Sequence, residues 1–370
     1  MVDINNAVMA SKRVFIIVIC GTFAYLQIQI MNMTTDLRSD TFTKPSKGML
    51  EAMWAAEVGD DVFGEDPTVN KLEQKTADTF GMEAGLYCPS GTMTNQTAIK
   101  ILTQPLQEVI CDVQAHIYKY ETGGMAFNSG VTARLIDGDR GRLSPQDILN
   151  HINAENVHFA PTSLVALENT SNRGGGSYYT LYQMKEINEL VRNNDLKLHL
   201  DGARIFNALA ETGDSPEDVG KLFDTISVCF SKGLGAPVGS VLLSSKENIN
   251  KARRIRKVFG GGMRQAGFMA AAALYALDNN IERLKEDHKR AKQIEATLKE
   301  LTYIENVLPV DTNIIIFELN RSLSNKDFLG KLAQHHIKAL STSNQTIRFV
   351  THLDFTDEML GDLVKVLKGM

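Results

Sequence analysis

Six short apolar segments recur through the middle of the chain, most of them separated by helical patterns, and this alternation narrows the possible folds more than any other feature. They read GLYC (85–88), EVICD (108–112), LVALEN (164–169), LKLHLD (196–201), TISVCF (225–230) and GSVLLS (239–244). Stretches such as TNQTAIKILTQ and TLYQMKEINELVRNN repeat their apolar residues at helical spacing instead. Strands alternating with helices require a mostly parallel sheet covered on both faces, an α/β architecture. Ligands of such sheets sit beyond the carboxyl ends of the strands, so residues that follow the apolar segments are the candidates for chemistry.

The pattern changes after about residue 265. An alanine-rich helix (AGFMAAAALYAL) leads into a charged one (NIERLKEDHKRAKQIEATLKEL), followed by NIIIFEL, TIRFVTH and a last helix opened by FTDEML. We therefore expect a large domain over 34–280, with an N-terminal arm, and a smaller α+β domain over 281–370. Residues 1–33 stand apart. VFIIVICGTFAYLQIQIM (14–31) carries no charge and follows Lys12 and Arg13, as a signal or anchor segment does. An alternative reading starts the chain at Met31 or Met33.

Charge and cysteine usage exclude several classes. A formal net charge of −5 without a basic block argues against a nucleic-acid binder. Cys20, Cys88, Cys111 and Cys229 are scattered, without zinc spacing, and fit reduced thiols. That usage agrees with a cytoplasmic location, with a signal or anchor left open by the apolar N-terminus. No G-x-S-x-G elbow occurs.

CFSKGLGAPVG (229–239) sets a lysine between an apolar strand and a glycine turn. It is not a P-loop, since Ser231 precedes Lys232 and Gly233 follows. Asp201 closes LKLHLD, where it could bind a metal, orient a histidine, pair with a cationic ring nitrogen or simply cap the next helix. Arg204 lies three residues on. Ser90, Gly91 and Thr92 sit where a strand turns into a helix, a seat for phosphate or an ordinary cap. His116 follows a strand end and could stack on a planar ligand or be structural. A lysine, an acid, a phosphate seat and a flat partner, each at a strand end, together match what pyridoxal phosphate demands.

The runs DLRSDTFTKP, GDDVFGEDPTVNKLE, PSGTMTNQTA, HIYKYETGG, DGARIFNA, SKGLGAPVGS and GGGMRQAG, in this order, resemble the threonine aldolase family. The resemblance extends from about Asp36 to His352. It implies the aspartate-aminotransferase fold (fold type I) and pyridoxal 5'-phosphate, with retro-aldol cleavage of L-threonine or L-allo-threonine to glycine and acetaldehyde. It also implies a homotetramer or dimer with shared sites.

Carried onto this chain, the resemblance makes Lys232 the lysine that binds the cofactor covalently and Asp201 the partner of its ring nitrogen. Arg204 meets the phenolic oxygen and helps hold the substrate. Ser90, Gly91 and Thr92 hold the phosphate, and His116 stacks on the ring. Ser39 and Arg348 contact the substrate carboxylate, for which the planar arginine fork is suited. Lys257 and Arg264 reach a neighbouring subunit's phosphate. His158 lies near the substrate hydroxyl, and His116, His158 or a water is the base. No metal is implied. The rival readings are another fold-type-I enzyme, either a β-eliminating lyase or an aminotransferase, and a non-catalytic relative, which would be expected to have lost Lys232, Asp201 or Arg348.

Overall fold

All six apolar segments form strands of one sheet in the computed structural model, which describes residues 34–370; the stretch 14–31 and the starts at Met31 and Met33 lie outside the described residues. In chain order the strands are β1 (Ala84–Cys88), β2 (Glu108–Asp112), β3 (Thr132–Ile136), β4 (Thr162–Glu168), β5 (Lys197–Gly202), β6 (Thr225–Cys229) and β7 (Ser240–Ser244). They lie in the order β1-β7-β6-β5-β4-β2-β3. Only β7 runs against its neighbours; the other pairings are parallel. The strand missing from the sequence reading is β3, whose TARLI is mostly half-exposed at the sheet edge and so lacks the buried-strand signature. By contrast, β2, β6 and β7 are buried at every position.

Helices cover both faces. The ones that position the site are α1 (Gly91–Leu102), α2 (Leu181–Asn193), α3 (Ile205–Thr212), α4 (Lys246–Val258), α5 (Gly267–Asn279), α6 (Leu284–Lys299) and α7 (Asp357–Lys368). Ser90 caps α1 by accepting the Met93 N–H, and Thr180 opens α2 with a capping box closed by Gln183.

The C-terminal part has its own antiparallel sheet. Its strands are β8 (Ile304–Val307), β9 (Ile314–Leu319), β10 (Leu340–Ser343) and β11 (Thr346–Val350), ordered β10-β11-β9-β8. Its core of Phe317, Phe328, Phe349 and Leu363 is separate from the core beneath the large sheet, and α6 spans both: Leu284 enters the first, Ile294 and Leu298 the second. The segment that begins the described chain is built onto this part. Thr35–Asp36 pairs in parallel with Ile337–Lys338, Leu37 joins the C-terminal core, and Val350 N–H donates to the Leu37 carbonyl at 2.9 Å. This pairing brings Ser39 and Asp40 against the strand ends of the large sheet.

Among the described residues no helix is long and apolar enough to cross a membrane. Cys88, Cys111 and Cys229 are free and buried, and burial pushes the first two thiols up to about 12.

Candidate active site

At the C-terminal edge of the large sheet, β1 delivers the chain into α1. Ser90 Oγ takes the Met93 N–H at 3.2 Å, while the Gly91 and Thr92 amides have no intramolecular partner among the described residues. Beneath Gly91 lies the Ser240 hydroxyl, fully buried and unpartnered, 3.5 Å from where a Cβ on Gly91 would stand. Two free amides at the N-terminus of a twelve-residue helix, with an orphaned hydroxyl under them, form a cradle for an anion.

Lys232 sits in the connection from β6 to β7. The turn after it closes through Gly235 N–H to the Lys232 carbonyl (2.8 Å) and Phe230 N–H to the Gly239 carbonyl (3.1 Å). Gly235 and Gly239 take φ of +78° and +112°, and a Cβ on Gly239 would overlap the Tyr87 ring. The glycines that follow Lys232 thus serve its turn, and the lysine itself lines a cleft.

Asp201, at the end of β5, rests on a buried polar wall. Its Oδ2 accepts from Asn95 Nδ2 at 2.8 Å and its Oδ1 from the Ala203 N–H at 3.1 Å. The second hydrogen of the same Asn95 amide goes to Glu121 Oε1 at 2.9 Å, so one neutral group holds two carboxylates. Asn95 Oδ1 then faces His199 Nε2 at 3.1 Å, which must donate, and His199 Nδ1 accepts from Thr225 Oγ1 at 2.8 Å. Burial holds His199 neutral, its pKa down at about 4, consistent with this tautomer.

His116 is oriented by the same wall. Its Nδ1 lies 2.9 Å from Glu121 Oε1, leaving Nε2 uncommitted, and its backbone N–H donates to Glu168 Oε2 at 2.8 Å. Burial disfavours the imidazolium, but the Glu121 hydrogen bond and the charges of Asp201 and Glu121 outweigh it, so the His116 pKa is raised. Glu168 pairs in register with Asp201 across β4 and β5. Burial, then the charge of Asp201, pushes its pKa up, against the N–H groups of Asn172 and His116.

The cleft, about 260 Å³, is lined by Lys232, His116, Ser39, Arg204 and Arg348 among others. Arg204 grips Asp40 with Nε and Nη2, both at 2.7 Å. Burial would raise the Asp40 pKa, but the Arg204 charge prevails and holds it at about 2. Arg348 donates to Asn172 Oδ1 (2.7 Å) and the Arg38 carbonyl (2.9 Å); its Nε is buried without a partner. No carboxylate lies within 4.0 Å of it among the described residues. Burial, then the neighbouring Arg204 charge, lowers its pKa to about 10. A buried guanidinium in this state has donors that a ligand carboxylate could meet.

The structure brings Lys232, Asp201, Arg204, His116, Ser39, Arg348 and the Ser90–Thr92 seat to one edge of the sheet. It does not bring His158, Lys257 or Arg264 to this chain's cleft. His158 is exposed, and its N–H donates to Asn156 Oδ1. It precedes β4 whereas Glu168 ends it, so roughly 20 Å of strand separates them. His158 therefore stands at the opposite end of β4 from this chain's cleft. Lys257 lines a different groove with Asp61 and Arg256, and Arg264 pairs with Asp60 at 2.8 Å. Sequence reading missed Asn95, Glu121, His199, Glu168, Asp40 and Arg173. A signal existed for His199, which lies two residues before Asp201 and so on the same face of β5.

Comparison with known proteins gives consistent results. The family model described as beta-eliminating lyase matches residues 36–322. The chain is 41% identical over 329 residues to the low specificity L-threonine aldolase of Escherichia coli (strain K12), covering 89% of this chain and 96% of that one. It is 41% identical over 301 residues to the low specificity L-threonine aldolase of Saccharomyces cerevisiae, covering 80% and 77%. A solved structure of Leishmania major threonine aldolase superposes with a TM-score of 0.78 at 21% identity, over 90% of this chain and 99% of that chain. A Sphingomonas wittichii serine palmitoyltransferase follows at 0.69 and 16%, over 91% and 86%. These two share the fold.

Proposed function

The chain belongs to the beta-eliminating lyase family and stands with its low-specificity L-threonine aldolases, and we propose that it cleaves L-threonine and L-allo-threonine to glycine and acetaldehyde with pyridoxal 5'-phosphate. The observation that carries this reading is Arg348, a buried guanidinium without a carboxylate in the same cleft as Lys232.

The residues fit the cofactor. The free Gly91 and Thr92 amides and the Ser240 hydroxyl suit its phosphate, and Lys232 supplies the amine that would hold it. Asp201 offers a carboxylate to its ring nitrogen, and His116 an aromatic face. Arg204 keeps Nη1 beyond its grip on Asp40. When bound, pyridoxal phosphate supplies a sink for the electron pair left on Cα as the Cα–Cβ bond breaks.

The chain's own groups do the rest. Arg348, with Ser39 beside it, binds the α-carboxylate and fixes which bond at Cα faces the ring. Glu121 accepts from His116 Nδ1–H, so Nε2 is the basic atom and takes the β-hydroxyl proton as the aldehyde leaves. Glu121 and Asn95 are positioning residues: they hold His116 and Asp201 and touch no substrate.

A second copy of the chain completes the site in this reading. Phe127 and Val258 are 90% and 80% exposed beside Ser90 and Thr92, an apolar surface that association would cover. Lys257 then reaches the neighbouring phosphate seat, with Arg264. His158, flanked by exposed Val157 and Phe159, sits on a loop able to approach another copy's substrate.

The test is a product assay on cofactor-loaded protein with Lys232→Ala alongside, each given L-threonine and L-allo-threonine separately. Equal amounts of acetaldehyde and glycine, lost in the variant, are expected. Formation of 2-oxobutanoate and ammonia would mean β-elimination and overturn the retro-aldol reading.

A further inference from the structure

Three guanidiniums line the cleft, and the groups already described account for two of them. Arg204 is neutralised by Asp40. Arg348 awaits the α-carboxylate that every amino-acid substrate carries. Arg173 is left over. Its one hydrogen bond among the described residues runs from Nε to Tyr120 Oη, and no carboxylate lies within 4.0 Å of it there. The anions nearby are engaged: Glu168 accepts the His116 and Asn172 N–H groups, one on each oxygen, and Asp201 holds Ala203 and Asn95.

Arg173 is also placed, rather than merely present. Its Cζ stands 5.0 Å from the Tyr120 ring centroid, and that ring lies 5.6 Å from the His116 ring. It therefore stands by the Tyr120 and His116 rings, with its charge also felt by Arg348 across the same cleft. With the α-carboxylate on Arg348 and the β-hydroxyl at His116, the substituent on Cβ can turn toward it. A pocket shaped only for a methyl group would be apolar on this side. Instead it presents a guanidinium steered by a phenol, the donor set that grips a carboxylate through charge-assisted hydrogen bonds.

We propose that Arg173 is a specificity residue for β-hydroxy-α-amino acids bearing a carboxylate on Cβ, and that the protein splits 3-hydroxyaspartate into glycine and glyoxylate. This rests on the retro-aldol reading above. The step balances without an oxidant. The β-hydroxyl proton passes to His116 Nε2 and the C–O bond becomes the glyoxylate carbonyl. The Cα–Cβ bond breaks, and the electron pair on Cα takes up a proton to give glycine.

The experiment compares kcat/KM for L-3-hydroxyaspartate (both β-epimers) and L-threonine in wild type, Arg173→Leu and Arg173→Lys, following glyoxylate, acetaldehyde and glycine. Calorimetric Kd values for L-aspartate and L-2-aminobutyrate, neither of which has a β-hydroxyl to lose, give a readout independent of turnover. Arg173→Leu is expected to lower kcat/KM for hydroxyaspartate roughly 10- to 100-fold more than for threonine, through KM. Arg173→Lys should keep much of the preference, and the tighter binding of L-aspartate should disappear in Arg173→Leu. Equal losses on both substrates, or no wild-type advantage for L-aspartate, would overturn the proposal. If wild type cleaves threonine but not hydroxyaspartate, this inference alone falls. If it cleaves neither, the retro-aldol reading falls with it.

Discussion

Asn95, between Asp201 and Glu121, has every polar atom of its side chain engaged; Arg173, at the rim of the same cleft, uses one donor of five. The wall around Asn95 is buried and its groups are paired with one another, since leaving one unpaired there would cost about 1–3 kcal/mol. The rim is partly solvated, so a free guanidinium can wait there for a ligand at little cost. The contrast separates two jobs. The wall holds fixed the groups that handle charge and protons, while the rim is free to choose what hangs from Cβ.

Changes in the wall should therefore alter rate or stability on every substrate alike. The largest effect is expected from Asp201→Asn, which removes the carboxylate proposed as the ionic partner of the ring nitrogen. Turnover should fall roughly 10- to 1000-fold, the equivalent of a pKa bias of about 1–3 units. The cofactor's absorbance should persist; near-normal turnover would sink the assigned role.

Asp40→Asn should act on stability. It leaves the Arg204 charge buried without its partner, at a cost of about 3–5 kcal/mol, read from denaturant midpoints. The wild-type pair also has a pH signature. Because the Asp40 pKa is depressed to about 2, its contribution is complete above the ordinary carboxylate value and is lost as pH falls toward 2. The variant should lack that loss in acid titrations.

The smallest effect is expected from Glu121→Gln. Without that carboxylate, burial dominates and the His116 pKa drops. A base acts when neutral, so the acid limb of kcat should move to lower pH. A limb that stays in place would show that His116 Nε2 is not the base.

The chain alone determined the α/β sheet and the strand-end positions of Lys232, Asp201, His116 and Ser90–Thr92. Each is announced by local pattern: an apolar run, then a turn, then a helix start. The edge strand β3 was missed for the same reason, since half-exposed residues carry no such pattern. Only the tertiary structure decided which polar groups meet. Asp40 and Arg204 lie 164 residues apart, Asn95 and Asp201 106, Tyr120 and Arg173 53. Strand polarity, likewise, sets His158 at the far end of β4 although it looks like its neighbours in sequence. Local propensity acts over a few residues and is written in the order of the chain. Burial matches donor to acceptor through space, and that matching has no local signature.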